Sequence, residues 1–153
     1  MEQLEGGLSA TGMKLAVFAS RFNSFLVEQL VKGAVDAFTR MGGADGDLVL
    51  VRVPGAYEEP AAIKSFLAKR KVDAVVALGV VVQGATPHAS LINETTARAF
   101  SQISLDSGIP VIDGIVSADT LEQAVERCGT KQGNKGFSAV QSAVEMVNVI
   151  KKF

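Results

Sequence analysis

Four short runs rich in valine and leucine punctuate the chain, at 14–20, 47–53, 73–82 and 109–116, and a helix-length segment follows each. The third, Ala74-Val75-Val76-Ala77-Leu78-Gly79-Val80-Val81-Val82, shows no polar alternation. That predicts a central strand of a parallel sheet, covered by helices on both faces. Val27, Leu30, Val31, Ala34, Phe38 and Met41 share one face of a first helix, which Gly42-Gly43 stops. Ile63, Phe66 and Leu67 stripe a second helix, with Pro60 in its first turn and Lys69, Arg70 and Lys71 toward its C-terminal end. A third helix runs from about Pro87 to Ser107 and ends at Gly108. It mixes Leu91, Ile92, Ala99, Phe100 and Ile103 with Thr95, Thr96, Ser101 and Ser104, which suggests a second packing partner, another subunit. Asp119-Thr120-Leu121-Glu122 reads as a capping box with Asp119 in the cap position, opening a short helix that Gly129 closes. Phe137, Val140, Val144 and Val147 line a last helix. This β-α alternation predicts one doubly wound α/β domain over 13–153, a four-stranded parallel sheet flanked by helices on both faces. Its binding loops belong at the carboxyl ends of the strands. Residues 1–12 are expected to form an N-terminal tail ordered by a neighbouring subunit.

Composition narrows what such a domain does. At 153 residues the chain can bury a core without disulfides or metals to staple it. Hydrophobic residues make up 48% of it, yet no run approaches the length of a membrane span, so no membrane partner is expected. Fifteen Lys and Arg against sixteen Asp and Glu leave a net charge of -1, which argues against nucleic acid, whose phosphates call for a basic excess. The N-terminal Met1-Glu2-Gln3-Leu4-Glu5-Gly6-Gly7 lacks the basic head and apolar core of a signal peptide, and the lone Cys128 can form no intrachain disulfide. Together they favour a cytoplasmic protein. With His88 the only histidine, no convincing zinc site is present.

Candidate chemistry gathers where the strands end. In Gly84-Ala85-Thr86-Pro87-His88, Gly84 lets the backbone turn, Thr86 can cap the next helix and Pro87 suits its first position. An ordinary capped helix start has the same composition, but its free amides also attract phosphate or carboxylate. His88 tips the balance: a group able to take or give a proton beside an anion-binding turn is what acid-base chemistry on a phosphorylated substrate needs. Phe22, in Ser20-Arg21-Phe22-Asn23, either belongs to the core or stacks on a planar heterocycle, and Asn23 suits a helix cap. In Pro54-Gly55-Ala56-Tyr57-Glu58-Glu59-Pro60 the two carboxylates either accept hydrogen bonds from sugar-like hydroxyls or sit solvated at a helix start. Arg127 and the following Gly129-Thr130-Lys131-Gln132-Gly133-Asn134-Lys135-Gly136 are either a C-capping arginine with a flexible basic loop or a phosphate fork with lysines nearby.

Taken in order, Arg21-Phe22-Asn23, Pro54 to Glu58, Gly84 to His88 and Glu126 to Gly136 resemble the 6,7-dimethyl-8-ribityllumazine synthase family nearly end to end. The resemblance implies a flavodoxin-like fold and a transferase-type condensation in riboflavin biosynthesis. Its substrates are the small molecules 5-amino-6-(D-ribitylamino)uracil and 3,4-dihydroxy-2-butanone 4-phosphate, and its products are 6,7-dimethyl-8-ribityllumazine, phosphate and water, with no metal or redox cofactor. It implies that Phe22 stacks on the pyrimidine and that Ala56, Glu58 and the backbone of Val80, Val81 and Val82 hold the ribityl chain and ring edge. Tyr57 and Asp113 belong to the same substrate site. Ala85, Thr86 and Arg127 bind the phosphate, His88 shuttles protons, and Lys131 or Lys135 adds charge. It further implies sites built between adjacent subunits of a homo-oligomer, a pentamer or a multiple of pentamers up to an icosahedral shell, in which the tail adds a strand to its neighbour's sheet.

Four positions depart from the family's habit. An aromatic and an acid usually follow the histidine, where this chain has Ala89 and Ser90. The usual arginine two residues before the Ala-Thr pair is Gln83, and the usual aromatic that covers the heterocycle is Asp113. A self-assembling shell protein with weakened catalysis is therefore an alternative. A flavin-binding module is disfavoured by the lack of a glycine- or threonine-rich cradle after the first strand, and a response regulator by the lack of an aspartate ending the third.

Overall fold

The computed structural model describes residues 1–84, 87–129 and 133–153. Strands β1 (Leu15–Ser20), β2 (Leu48–Val53), β3 (Ala74–Val82) and β4 (Val111–Ala118) form one sheet in the order β2-β1-β3-β4, with every neighbouring pair parallel. The expected runs agree within two residues, the last strand continuing to Ala118. β1 is buried at every position and β3 at its first seven, which explains their unbroken apolar character. β2 and β4 are the edges.

The helices are α1 (Ser24–Arg40), α2 (Glu59–Leu67), α3 (His88–Ser107), α4 (Leu121–Arg127) and α5 (Lys135–Ile150). One core packs Val17, Val76 and Val116 of the sheet against Leu30 and Phe38 of α1, Ala124 of α4, and Val140 and Val144 of α5. The opposite core packs Phe18, Ala77 and Ile115 against Ile63 of α2 and Phe100 of α3. Phe18 and Phe66 meet edge-to-face with centroids 5.5 Å apart, a geometry worth about 1 kcal/mol beyond burial. Where α1 and α5 cross, a Cβ on Gly136 would collide with the Leu30 carbonyl, so glycine sets their close approach.

Three helix starts differ in detail from the sequence expectation. Asn23 occupies the cap position of α1, but its backbone is left-handed (φ 58°) and its side chain makes no capping bond. The short helix α4 is capped by Thr120 rather than Asp119. Thr120 Oγ1 accepts from the Gln123 amide at 3.2 Å while Gln123 Oε1 accepts from the Asp119 amide at 3.0 Å. The box is shifted by one residue because Thr120, not Asp119, stands three before a glutamine that can answer it. Pro87 occupies the cap position of α3 rather than its first helical position, so the helix begins one residue later than expected, at His88.

Helix α3 buries only Ala89, Thr96 and Phe100, leaving Leu91 and Leu105 exposed. At the N-terminus, Asn148 of α5 donates to the carbonyls of Gly7 (2.7 Å) and Ser9 (2.9 Å), and the Ala10 amide bonds the Met41 carbonyl. Residues 1–5 stay exposed. No helix among the described residues is long and apolar enough to cross a membrane.

Candidate functional site

The strand order reverses between β1 and β3, and at their carboxyl ends lies a cavity of about 560 Å³. This switch point is where open α/β sheets bind ligands, because the connections leave in opposite directions and no helix closes the gap. The residues after β1 stay tied to the segment after β2, the Arg21 amide bonding the Val53 carbonyl (2.8 Å) and the Phe22 amide the Pro54 carbonyl (3.0 Å). Asn23 then turns the chain in the left-handed region, and its Nδ2 donates to the Val80 carbonyl at 2.8 Å. That bond fixes the end of β1 to the end of β3 and offsets the cost of the backbone conformation. Asn23 is thus a clamp across the cavity floor, which is why its side chain is not spent on α1.

Of the residues singled out from the sequence, Phe22, Ala56, Tyr57, Glu58, Val80, Val81, Val82 and His88 all line this cavity. Phe22 is 71% exposed and Tyr57 64%, so two rings stand uncovered at its mouth. Exposed rings gain most from covering a flat apolar partner, and this disposes of the core role for Phe22. Ala56–Glu58 form a 3-10 turn that feeds directly into α2. His88 opens α3 and Gly84 precedes it on the rim. Ala85 and Thr86 lie outside the described residues, as does Lys131.

Asp113, Arg127 and Lys135 do not line the cavity. All three meet the open edge of β4. Asp113 Oδ1 accepts from the Ile115 amide at 3.0 Å, Lys135 Nζ donates to the Ile115 carbonyl at 2.6 Å, and Arg127 Nη1 donates to the Ser117 carbonyl at 3.0 Å. The Gln83 amide bonds the Ala118 carbonyl, so even-numbered residues of β4 face β3 and odd-numbered ones face outward. Side chains thus satisfy the backbone groups that a partner strand would otherwise claim. Asn134 builds the base of this cluster: its Oδ1 caps α5 through the Phe137 amide and its Nδ2 donates to the Gln29 carbonyl of α1. Its anchoring explains why Gly133-Asn134-Lys135-Gly136 is more than a basic loop.

Sequence reasoning missed two features. Ser20, a polar residue closing an apolar strand, lines the cavity, and Gly79 lies beside it because a Cβ there would stand 2.9 Å from Ser20 Oγ and 3.0 Å from Ile115 Cδ1. A glycine inside a strand was the available signal. The second is Glu59. Glu58 does reach the cavity, but Glu59 is fully buried rather than solvated. Burial pushes its carboxyl well above the ordinary range, the Asp113 charge adds to the rise, and the Ser20 backbone amide works against it. Cys128 is also buried, which pushes its thiol up to about 11 and leaves it unreactive at neutral pH. Among the described residues no three His, Cys, Asp or Glu side chains gather as a metal ion would require.

Comparison with known proteins bears on what this cavity serves. The family model described as 6,7-dimethyl-8-ribityllumazine synthase matches residues 12–151. A protein of that name from Aquifex aeolicus is 47% identical over 151 residues, covering 99% of this chain and 98% of its own. Those from Chlorobium chlorochromatii and Desulfotalea psychrophila are each 46% identical, over 152 and 147 residues, with 98% and 95% of their own lengths matched. With a family match over residues 12–151 and relatives matched across almost its whole length, the chain belongs to the 6,7-dimethyl-8-ribityllumazine synthase family.

Proposed function

We propose that the protein condenses 5-amino-6-(D-ribitylamino)uracil with 3,4-dihydroxy-2-butanone 4-phosphate to 6,7-dimethyl-8-ribityllumazine, releasing phosphate and water. The observation that carries this reading is the convergence of Phe22, Tyr57, Glu58 and His88 on one cavity at the switch point of the sheet, in a chain of this family. Phe22 stacks on the pyrimidine, Ala56 and the Val80–Val82 backbone hold its edge, and the Glu58 carboxylate accepts hydrogen bonds from ribityl hydroxyls. Ala85 and Thr86 hold the phosphate. His88 moves protons as the amine attacks the ketone, as water and phosphate leave, and as the ring closes. Most of the acceleration comes from aligning two reactive partners, and the proton shuttle supplies the rest.

The cations come from a second copy. Arg127 and Lys135 sit on the β4 edge, away from the cavity of their own chain, and the reading joins that edge to the cavity of a neighbouring subunit. The mixed, exposed face of α3 supports a ring of subunits, and residues 1–5 are free to pair with a neighbour's β2 edge. A pentamer, alone or as a building block of larger shells, is the assembly proposed. Mixing the purified protein with both substrates tests the reaction: lumazine fluorescence should grow faster than in the spontaneous reaction. No acceleration at any substrate concentration would refute it.

A further inference from the structure

Glu59 is the one fully buried carboxyl among the described residues, and the chemistry proposed above does not use it. Neither Oε1 nor Oε2 has a hydrogen-bond partner there. An ionised carboxylate in such a place is strongly destabilising, whereas a neutral one is tolerated. Glu59 is the first residue of α2 and directly follows the Ala56–Glu58 turn that walls the cavity.

Glu59 shares the buried positions of α2 with Ile63 alone, and α3 buries only Ala89, Thr96 and Phe100. The groups acting on its charge are Asp113 of β4, which opposes ionisation along with burial, and the Ser20 backbone amide of β1, which favours it. None of the buried positions of α2 and α3 besides Glu59 itself is ionisable.

We propose that Glu59 is a positioning residue: as a neutral carboxylic acid it seats the first turn of α2 on the sheet, and when its O–H proton passes to solvent the Ala56–Glu58 wall of the cavity is released. The direction of the effect follows from linkage. In the unfolded chain the glutamate titrates near its ordinary value of about 4.3. Below that pH both states hold the proton and the contribution to stability is complete. As pH rises above it the unfolded chain gives up a proton that the folded chain keeps, so stability falls until the folded carboxyl also ionises.

The catalytic meaning of a loosened wall rests on the proposed reaction, but the wall itself can be read without turnover. Tyr57 is the only tyrosine, and the chain has no tryptophan, so intrinsic fluorescence reports on that wall alone. Thermal unfolding and Tyr57 emission anisotropy of the full-length assembled protein are compared at pH 5, 6, 7 and 8 for wild type and Glu59→Gln. Wild type should lose roughly 2–4 °C more in Tm per pH unit than the variant, within the window that opens in the ordinary carboxylate range. Its Tyr57 anisotropy should hold while Tm falls and drop at the pH where that fall ends, while that of the variant stays level throughout. Parallel Tm curves would overturn the buried acid, and a wild-type anisotropy that stays level once the fall in Tm has ended would overturn its hold on the wall. If the glutamine variant fails to fold, Glu59→Leu, which also lacks a titrating group, serves as the reference. Because neither reading needs product, failure of the proposed reaction would leave both interpretable.

Discussion

The cavity at the ends of β1 and β3 and the capped edge of β4 divide the motif residues between them, and they differ in how their polar groups are employed. Around the cavity the side chains of Glu58 and His88 have no hydrogen-bond partner among the described residues, and Phe22 and Tyr57 are open to solvent. At the β4 edge Asp113, Arg127 and Lys135 are all engaged with the backbone of their own chain. The first region is ready for a ligand. On the proposed reading, the second must exchange bonds it already has for bonds to a substrate. An exposed arginine-carbonyl bond contributes little net stability, about 1 kcal/mol, while a phosphate offers two charge-assisted bonds in the same plane. If these cations serve the phosphate as proposed, the exchange favours it, and the backbone contacts are their resting place.

The largest expected effect tests whether the two regions complete each other across subunits. Arg127→Ala should lower kcat/KM for the phosphorylated substrate by about 10²- to 10³-fold, the range seen when one preorganised charge-stabilising donor is removed. His88→Ala, which damages the other region, should slow turnover by about 10²-fold without abolishing it, since alignment of the reactants survives. Unfolding and reassembling the two variants together gives a sharper measurement. If sites are shared between neighbours, mixed assemblies contain interfaces at which an intact cavity faces an intact edge, and activity should exceed the sum of the separate variants. A mixture no more active than that sum would show that each chain must bring its own arginine to its own cavity.

The sheet, its four strands and the cavity half of the site were legible because each leaves a local mark. Unbroken valine runs signal buried parallel strands, and strand ends carrying Phe22, Tyr57 and His88 converge wherever a doubly wound sheet reverses. The β4 edge was not legible in this way. Arg127 and Lys135 follow β4 in the chain, yet which side of the strand their side chains take depends on the parity of Ile115 and Ser117 in the ladder, a property of pairing and not of local sequence. Asn134 was hidden for a similar reason, since its partner Gln29 lies over a hundred residues away. Glu59 reads as a solvated helix-start acid in any local window. Its burial is set by how α2 lies on the sheet, which no local window shows.

The smallest effect concerns the position where the two regions differ most from the family's habit. The resemblance to the family implies a ring here that covers the heterocycle; Asp113 instead has its Oδ1 accepting from the Ile115 amide, at an edge that no strand covers among the described residues. Asp113→Phe reverses that exchange. If the β4 edge faces a neighbour's cavity, the new ring covers the side of the pyrimidine opposite Phe22 and should lower its KM by about three- to tenfold, equivalent to roughly 0.5–1.5 kcal/mol of ring contact. The lost cap should lower stability by about 1 kcal/mol, the ordinary worth of one hydrogen bond, and Tm by a few degrees. The two changes are separable because one is read at saturating phosphate substrate and the other without substrate. A Tm that falls while the pyrimidine KM stays fixed would mean that the edge never meets the heterocycle, and that the aspartate is there to close the sheet.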